Sequence, residues 1–143
     1  MKKLSVLLTV FVLAACSSSE PTKTGEATSA KSDEGDYATV KISLEGDKVT
    51  SISMDETKGG KSKKELGADY GMKSTSEKTG IGKEWNEQVN FLVDYIVKNG
   101  LDAVKLTAEG KASENDVLAG CTINIKNMMY TANKAADTAT ESK

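Results

Sequence analysis

Ala38-Thr39-Val40-Lys41-Ile42-Ser43-Leu44-Glu45-Gly46-Asp47-Lys48-Val49-Thr50-Ser51-Ile52-Ser53-Met54 is the most regular stretch of this 143-residue chain. Val40, Ile42 and Leu44 alternate with Thr39, Lys41 and Ser43. Successive side chains of an extended strand point to opposite faces, so the alternation predicts a strand buried on one side. Glu45-Gly46-Asp47-Lys48 follows, and its central Gly-Asp pair suits a tight turn. Ile52 and Met54 then alternate with Ser51 and Ser53. Residues 38–54 therefore read as a β-hairpin with one apolar face, and that face needs a cover.

Two helical patterns farther along supply it. In residues 83–98, Trp85, Val89, Leu92 and Ile96 fall at i, i+4, i+7 and i+11, with Val93 and Val97 beside them. This makes one apolar stripe. Glu84 and Glu87 sit in the first turn and Lys98 in the last, both favourable for the helix dipole, and Asn99-Gly100 is a fitting stop. Ile125, Met128, Met129, Ala132, Ala135, Ala136 and Ala139 repeat at helical spacing in the second pattern. Between these elements, residues 58–64 read as a solvated Gly and Lys loop, and 61–72 as a short helix opposed by Gly67 and Gly71. Residues 103–108 read as a strand through Val104 and Leu106. The expected fold is α+β: a small antiparallel sheet with a hairpin at its start and two main helices packed on it, over residues 37–139. Residues 140–143 are expected to fray.

The N-terminal side is different. Met1-Lys2-Lys3 is positive, and Leu4 to Leu13 is an uncharged run ending in the small residues Ala14 and Ala15. That is the layout of a secretory signal, and its apolar part is too short for a permanent membrane span. Leu13-Ala14-Ala15-Cys16 resembles the bacterial lipobox. The resemblance implies a signal peptide over residues 1–15, cleavage before Cys16 and a diacylglyceryl group on that cysteine. Two acyl chains give stable attachment, so the mature chain needs no transmembrane helix. The expected location is the extracytoplasmic face of the cell membrane. Residues 16–36 are rich in Ser, Thr, Glu, Lys and Gly and hold no large apolar side chain. They are expected to form a flexible tether reaching roughly 25 Å as a coil.

Composition narrows the function. Loss of Lys2 and Lys3 with the signal would take the formal charge from −2 to −4. Every basic residue is Lys, and the chain has neither Arg nor His. A mildly acidic chain without Arg is a poor candidate for nucleic acid. Without His there is no imidazole base, no Ser-His triad and no His-ligated metal. With Cys16 lipidated, Cys121 has no partner for an intramolecular disulfide.

Asp116-Val117-Leu118-Ala119-Gly120-Cys121-Thr122 is the candidate site. Small residues lie there between an apolar pair and a threonine that opens a helical pattern. A Gly at such a point allows close backbone approach, and a helix start offers free N–H groups to a phosphate. The same residues also make a plain strand-to-helix loop, with Gly for geometry. The segment resembles the flavinylation motif of FMN-binding domains. In that family an Asp is followed, after two residues, by Ser or Thr, a small residue, Ala or Ser, and an acceptor Thr. A flavin transferase takes FMN from FAD and joins its phosphate to that Thr. Asp116 matches the acid, Gly120 the small residue and Thr122 the acceptor. Ala119 stands where Ser or Thr is usual, and Cys121 where Ala or Ser is usual.

The order of elements over residues 37–139 is similar to that of the flavin-bearing, pheromone-encoding lipoproteins of Gram-positive extracellular electron transfer. The resemblance implies covalent FMN on Thr122, with Asp116, Ala119, Gly120 and Cys121 around it. It implies three partners: a flavin transferase, membrane lipid through Cys16 and a membrane electron donor. It also implies an electron carrier to extracellular acceptors rather than a stand-alone enzyme. In that family h-region fragments act as secreted peptide signals, and Thr9-Val10-Phe11-Val12-Leu13-Ala14 is apolar enough to be one. Beside this stands a non-redox surface lipoprotein that binds a solute, wall polymer or partner protein and needs nothing of Thr122. Several side chains read two ways. Asp116 is a transferase contact or a cap, Trp85 a stacking surface or a core anchor, and Met128 and Met129 a pocket lining or core. Cys121 is a redox group or a buried small residue.

Overall fold

The computed structural model describes residues 20–78 and 80–141. Within them the chain is α+β, with an antiparallel five-stranded sheet in the order β4-β3-β2-β1-β5. The strands are β1 (Thr22–Thr28), β2 (Ala38–Glu45), β3 (Lys48–Lys58), β4 (Lys61–Ser62) and β5 (Thr140–Glu141). The helices are α1 (Lys63–Leu66), α2 (Lys73–Glu77), α3 (Trp85–Asn99), α4 (Asn115–Leu118) and α5 (Lys126–Asp137). Short 3-10 turns occupy Gly67–Tyr70 and Leu101–Ala103.

The hairpin forms as its pattern dictates. Ala38, Val40, Ile42 and Leu44 of β2 are buried, with Val49, Ile52 and Met54 of β3. Val49 and Ile52 are an odd number of residues apart, yet both face inward. A bulge between Ser43 and Leu44 makes this possible by letting Leu44 pair with Val49 and Ser43 with Ser51. Gly46, at φ 58°, supplies the positive φ of the turn. Helix α3 packs on β3, and α5 packs on β2 and β1. Trp85, Val89, Leu92 and Ile96 of α3 are buried, as are Met128, Met129, Ala132 and Ala135 of α5. Each large side chain so buried contributes about 1.5–3 kcal/mol. Trp85, Met128 and Met129 are therefore core residues.

Three expectations need correction. The 16–36 tether is cut short by β1, which pairs with β2 along Thr22–Thr28. Backbone hydrogen bonds hold this strand; its one buried side chain is Ala27, so hydropathy carries no trace of it. Gly25 permits its fit, because a Cβ there would lie 1.9 Å from the Ala135 carbonyl oxygen. At the other end, Thr140 and Glu141 do not fray but pair with Thr24 and Lys23 as β5. Finally, residues 103–108 make no sheet strand. Thr107 N–H donates to the Lys111 carbonyl and Ser113 N–H to the Lys105 carbonyl. The segment doubles back on itself, with one bridge between Leu106 and Ala112.

Candidate functional site

The segment 116–122 is not a strand-to-helix turn. Asp116 lies in the first turn of α4, and α5 starts only at Lys126. Thr122 thus does not open α5, and the helix-terminus phosphate site expected there is absent. Ala119 caps α4 and is exposed. Gly120 and Cys121 are buried, and their N–H groups donate to the Val117 carbonyl. Burial pushes the Cys121 thiol up to about 11, so at neutral pH it is a protonated, inert group. Cys16 lies outside the described residues.

The glycine has a packing reason. A Cβ at Gly120 would fall 2.2 Å from Cγ of Phe91, so the ring lies directly on the residue. Lys83 Nζ stands 5.3 Å from the centroid of that ring. Asp116 is not among the residues that line the Thr122 cleft. It lines a cleft of about 440 Å³ with Phe91, Asp94, Tyr95, Lys98 and Asn99.

Thr122 is half-buried and lines a different cleft, of about 220 Å³, with Met72, Ser76, Gln88, Lys111 and Asn124 among its walls. Gln88 positions it. This side chain is fully buried on α3, and its Oε1 accepts from the Thr122 N–H at 2.9 Å and lies 3.4 Å from Thr122 Oγ1. Its Nε2 donates to the Lys83 carbonyl at 3.2 Å. Gln88 was missed in the sequence reading, although a signal existed: at i+3 from Trp85 it interrupts the apolar stripe. A polar group on a buried face must find partners.

The cleft wall is equally tied down. The Ser76 hydroxyl donates to the Lys83 carbonyl at 2.6 Å and accepts from the Lys83 N–H at 2.7 Å. Glu84 closes a capping box with Glu87 at the start of α3. The same Glu84 carboxylate accepts from the Met72 N–H at 2.9 Å. Met72, Ile123 and Asn124 also border a neighbouring cleft of about 390 Å³, lined further by Glu56, Lys63, Tyr70, Trp85 and Lys126. The two clefts share Met72, Ile123 and Asn124 as walls; one is polar with the Tyr70 and Trp85 rings at its side, the other mostly apolar and presenting the Thr122 hydroxyl. Lys63, Lys111 and Lys126 line them against the single carboxylate of Glu56. The cationic side chains on both walls suit an anionic ligand.

Among the described residues no group of three or more Cys, Asp or Glu is placed to hold a metal ion. Nor is any helix there long and apolar enough to cross a membrane.

No family model matches the chain, and no curated protein does. A similar solved structure is the solution NMR structure of a protein from Clostridium thermocellum, determined by the Northeast Structural Genomics Consortium. It is 24% identical, with 82% of this chain and 89% of that chain covered, at a TM-score of 0.48.

Proposed function

We propose that this chain is a lipid-anchored extracytoplasmic carrier of electrons, bearing FMN as a phosphoester on Thr122. One observation carries the reading. Buried Gln88 holds the Thr122 backbone at 2.9 Å and sets its hydroxyl on the wall of a cleft that also holds Lys111. A phosphoester acceptor needs this setting: a fixed hydroxyl at an accessible wall, with a cation for the phosphate.

The residues present fit the group. Lys111 and Lys126 stand at the clefts to meet a phosphate, and Tyr70, Met72 and Ile123 offer apolar contact beyond it. When bound, flavin supplies the reversible electron transfer, which no side chain of this domain provides. In loading, Thr122 Oγ1 loses its proton and bonds the flavin-side phosphorus of FAD. The pyrophosphate bond breaks, and AMP leaves. A covalent bond keeps the cofactor from diffusing away outside the cell.

Strand β1 sharpens the role of the anchor. From Cys16 to the start of the sheet at Thr22 is a six-residue step, spanning at most about 20 Å. A domain lipidated at Cys16 stays near the bilayer, within reach of a membrane electron donor.

Peptide mass spectrometry of protein from the native host, grown with its flavin transferase expressed, tests the reading. The expected result is one FMN phosphoester on the Thr122 peptide, lost in Thr122→Ala. An unmodified Thr122 peptide under those conditions refutes it and leaves a non-redox surface module.

A further inference from the structure

The cleft beyond Ile123 contains a cation held unlike any other lysine of the site. Lys63 opens α1, and its Nζ lies 5.3 Å from the Trp85 ring centroid and 5.4 Å from that of Tyr70. Both distances are within cation–π reach, about 6 Å. The same Nζ is 2.7 Å from Glu56 Oε2, with the two side chains only 14% and 15% exposed. The helix that carries it is pinned as well. Asp55 accepts from the Ser62 hydroxyl and from the Lys64 N–H, and the Ser62 hydroxyl accepts from the Glu65 N–H. Lys111 and Lys126 are exposed and screened by solvent, whereas Lys63 is a fixed charge in a shielded wall.

We propose that Lys63 makes this cleft hold the reduced, anionic form of a flavin more tightly than the oxidised form, and so raises the reduction potential of the group on Thr122. The inference rests on the flavin reading above. Its chemistry is a matter of charge. Two electrons and one proton convert the neutral oxidised ring to a hydroquinone anion, whose negative charge lies along N1 and C2=O. A fixed cation favours that anion and does little for the neutral ring, and a state bound more tightly is a state more populated. Glu56 opposes the effect while it holds the lysine in place. Removing the lysine and removing the carboxylate must therefore move the equilibrium in opposite directions, which a merely structural role for the pair would not do.

The experiment uses the full chain loaded by its flavin transferase, with dithionite as the two-electron reductant and solvent as the proton source. Loading is read by mass and the midpoint potential by spectroelectrochemistry, for wild type, Lys63→Gln, Lys63→Arg and Glu56→Gln. Lys63→Gln is expected to shift the reduced-to-oxidised ratio about tenfold toward oxidised at a fixed potential, a fall of about 30 mV for two electrons. Lys63→Arg should stay near wild type, and Glu56→Gln should move upward. A second measurement needs no ester. Anaerobic titration of the unloaded chain with oxidised and dithionite-reduced riboflavin should show about tenfold tighter binding of the reduced form, lost in Lys63→Gln. Equal affinity for the two forms in wild type overturns the proposal. So does an unchanged potential in loaded Lys63→Gln, or a shift of the same sign in Lys63→Gln and Glu56→Gln. Failure of the carrier reading is distinct: it appears as a wild-type chain with no FMN on Thr122, and the riboflavin titration still decides the role of Lys63.

Discussion

Gly120→Ala separates two explanations for the glycine beside Thr122: room for a ligand, and room for Phe91. The added Cβ would lie 2.2 Å from Cγ of Phe91 and 2.4 Å from each Cδ. Ordinary carbon contacts are about 3.5–4.0 Å, so the ring or the backbone must give by more than 1 Å. Gly120 is not among the positive-φ glycines, so the effect is steric and not conformational. Phe91 is half-buried and can turn toward solvent, at the loss of its own packing. Overpacking of this kind costs about 1–3 kcal/mol. In a domain of this size that lowers Tm by roughly 4–12 °C. Thermal unfolding followed by circular dichroism of Gly120→Ala, Phe91→Ala and the double variant checks it. With the ring gone, the atoms the methyl would strike are gone, so the double variant should be no less stable than Phe91→Ala alone. The coupling energy should then match the cost of Gly120→Ala. A wild-type Tm for Gly120→Ala, or an equal cost in the Phe91→Ala background, refutes the packing explanation.

Other outcomes follow from the same contacts. Gln88→Leu removes the acceptor of the Thr122 N–H and a donor to the Lys83 carbonyl. It should cost about 1–3 kcal/mol in urea unfolding and reduce the modified fraction of the Thr122 peptide; wild-type values for both would dismiss Gln88 as the positioning residue. The Cys121 thiol is raised by burial from 9.0 to about 11. Its folded value lies above its unfolded one, so the stability it contributes is whole below pH 9 and is lost as the pH rises to about 11. The loss is roughly 2–3 kcal/mol. Comparing Tm at pH 8 and pH 10.5 in wild type and Cys121→Ala reads it, and an identical pH profile in the two would count against it. A chain beginning at residue 29 lacks β1, the partner of both β2 and β5. Hydrogen exchange at the β2 amides that face β1 should accelerate strongly, and unchanged protection there would show that β1 is dispensable.

Parts of the site were legible in the sequence and parts were not. The hairpin and both long helices could be read because each buries a periodic set of side chains, and periodicity is a local property. Thr122 could be singled out as a candidate by its small neighbours and by a resemblance to a motif. The same motif implied Asp116 beside it, whereas the chain turns through α4 and puts the two in separate clefts. In sequence, Gly120 reads either as close backbone approach for a ligand or as loop geometry. Its environment instead comes from a ring 29 positions earlier in the chain, which no local pattern reports.

By itself, then, the sequence determined the α+β class, the β2–β3 hairpin, the two covering helices, and a composition without His, hence without an imidazole base. Those follow from side-chain period and composition. Tertiary structure alone decided three things: that β1 and β5 join the sheet, that Gln88 holds Thr122, and that Lys63 is trapped between Trp85, Tyr70 and Glu56. The physical reason is common to all three. They rest on backbone hydrogen bonds or polar contacts between separate elements of the chain, whether seven positions apart, as Lys63 and Glu56, or more than a hundred, as β1 and β5. Such contacts carry no hydrophobic period and come into being only when the core has brought the segments together.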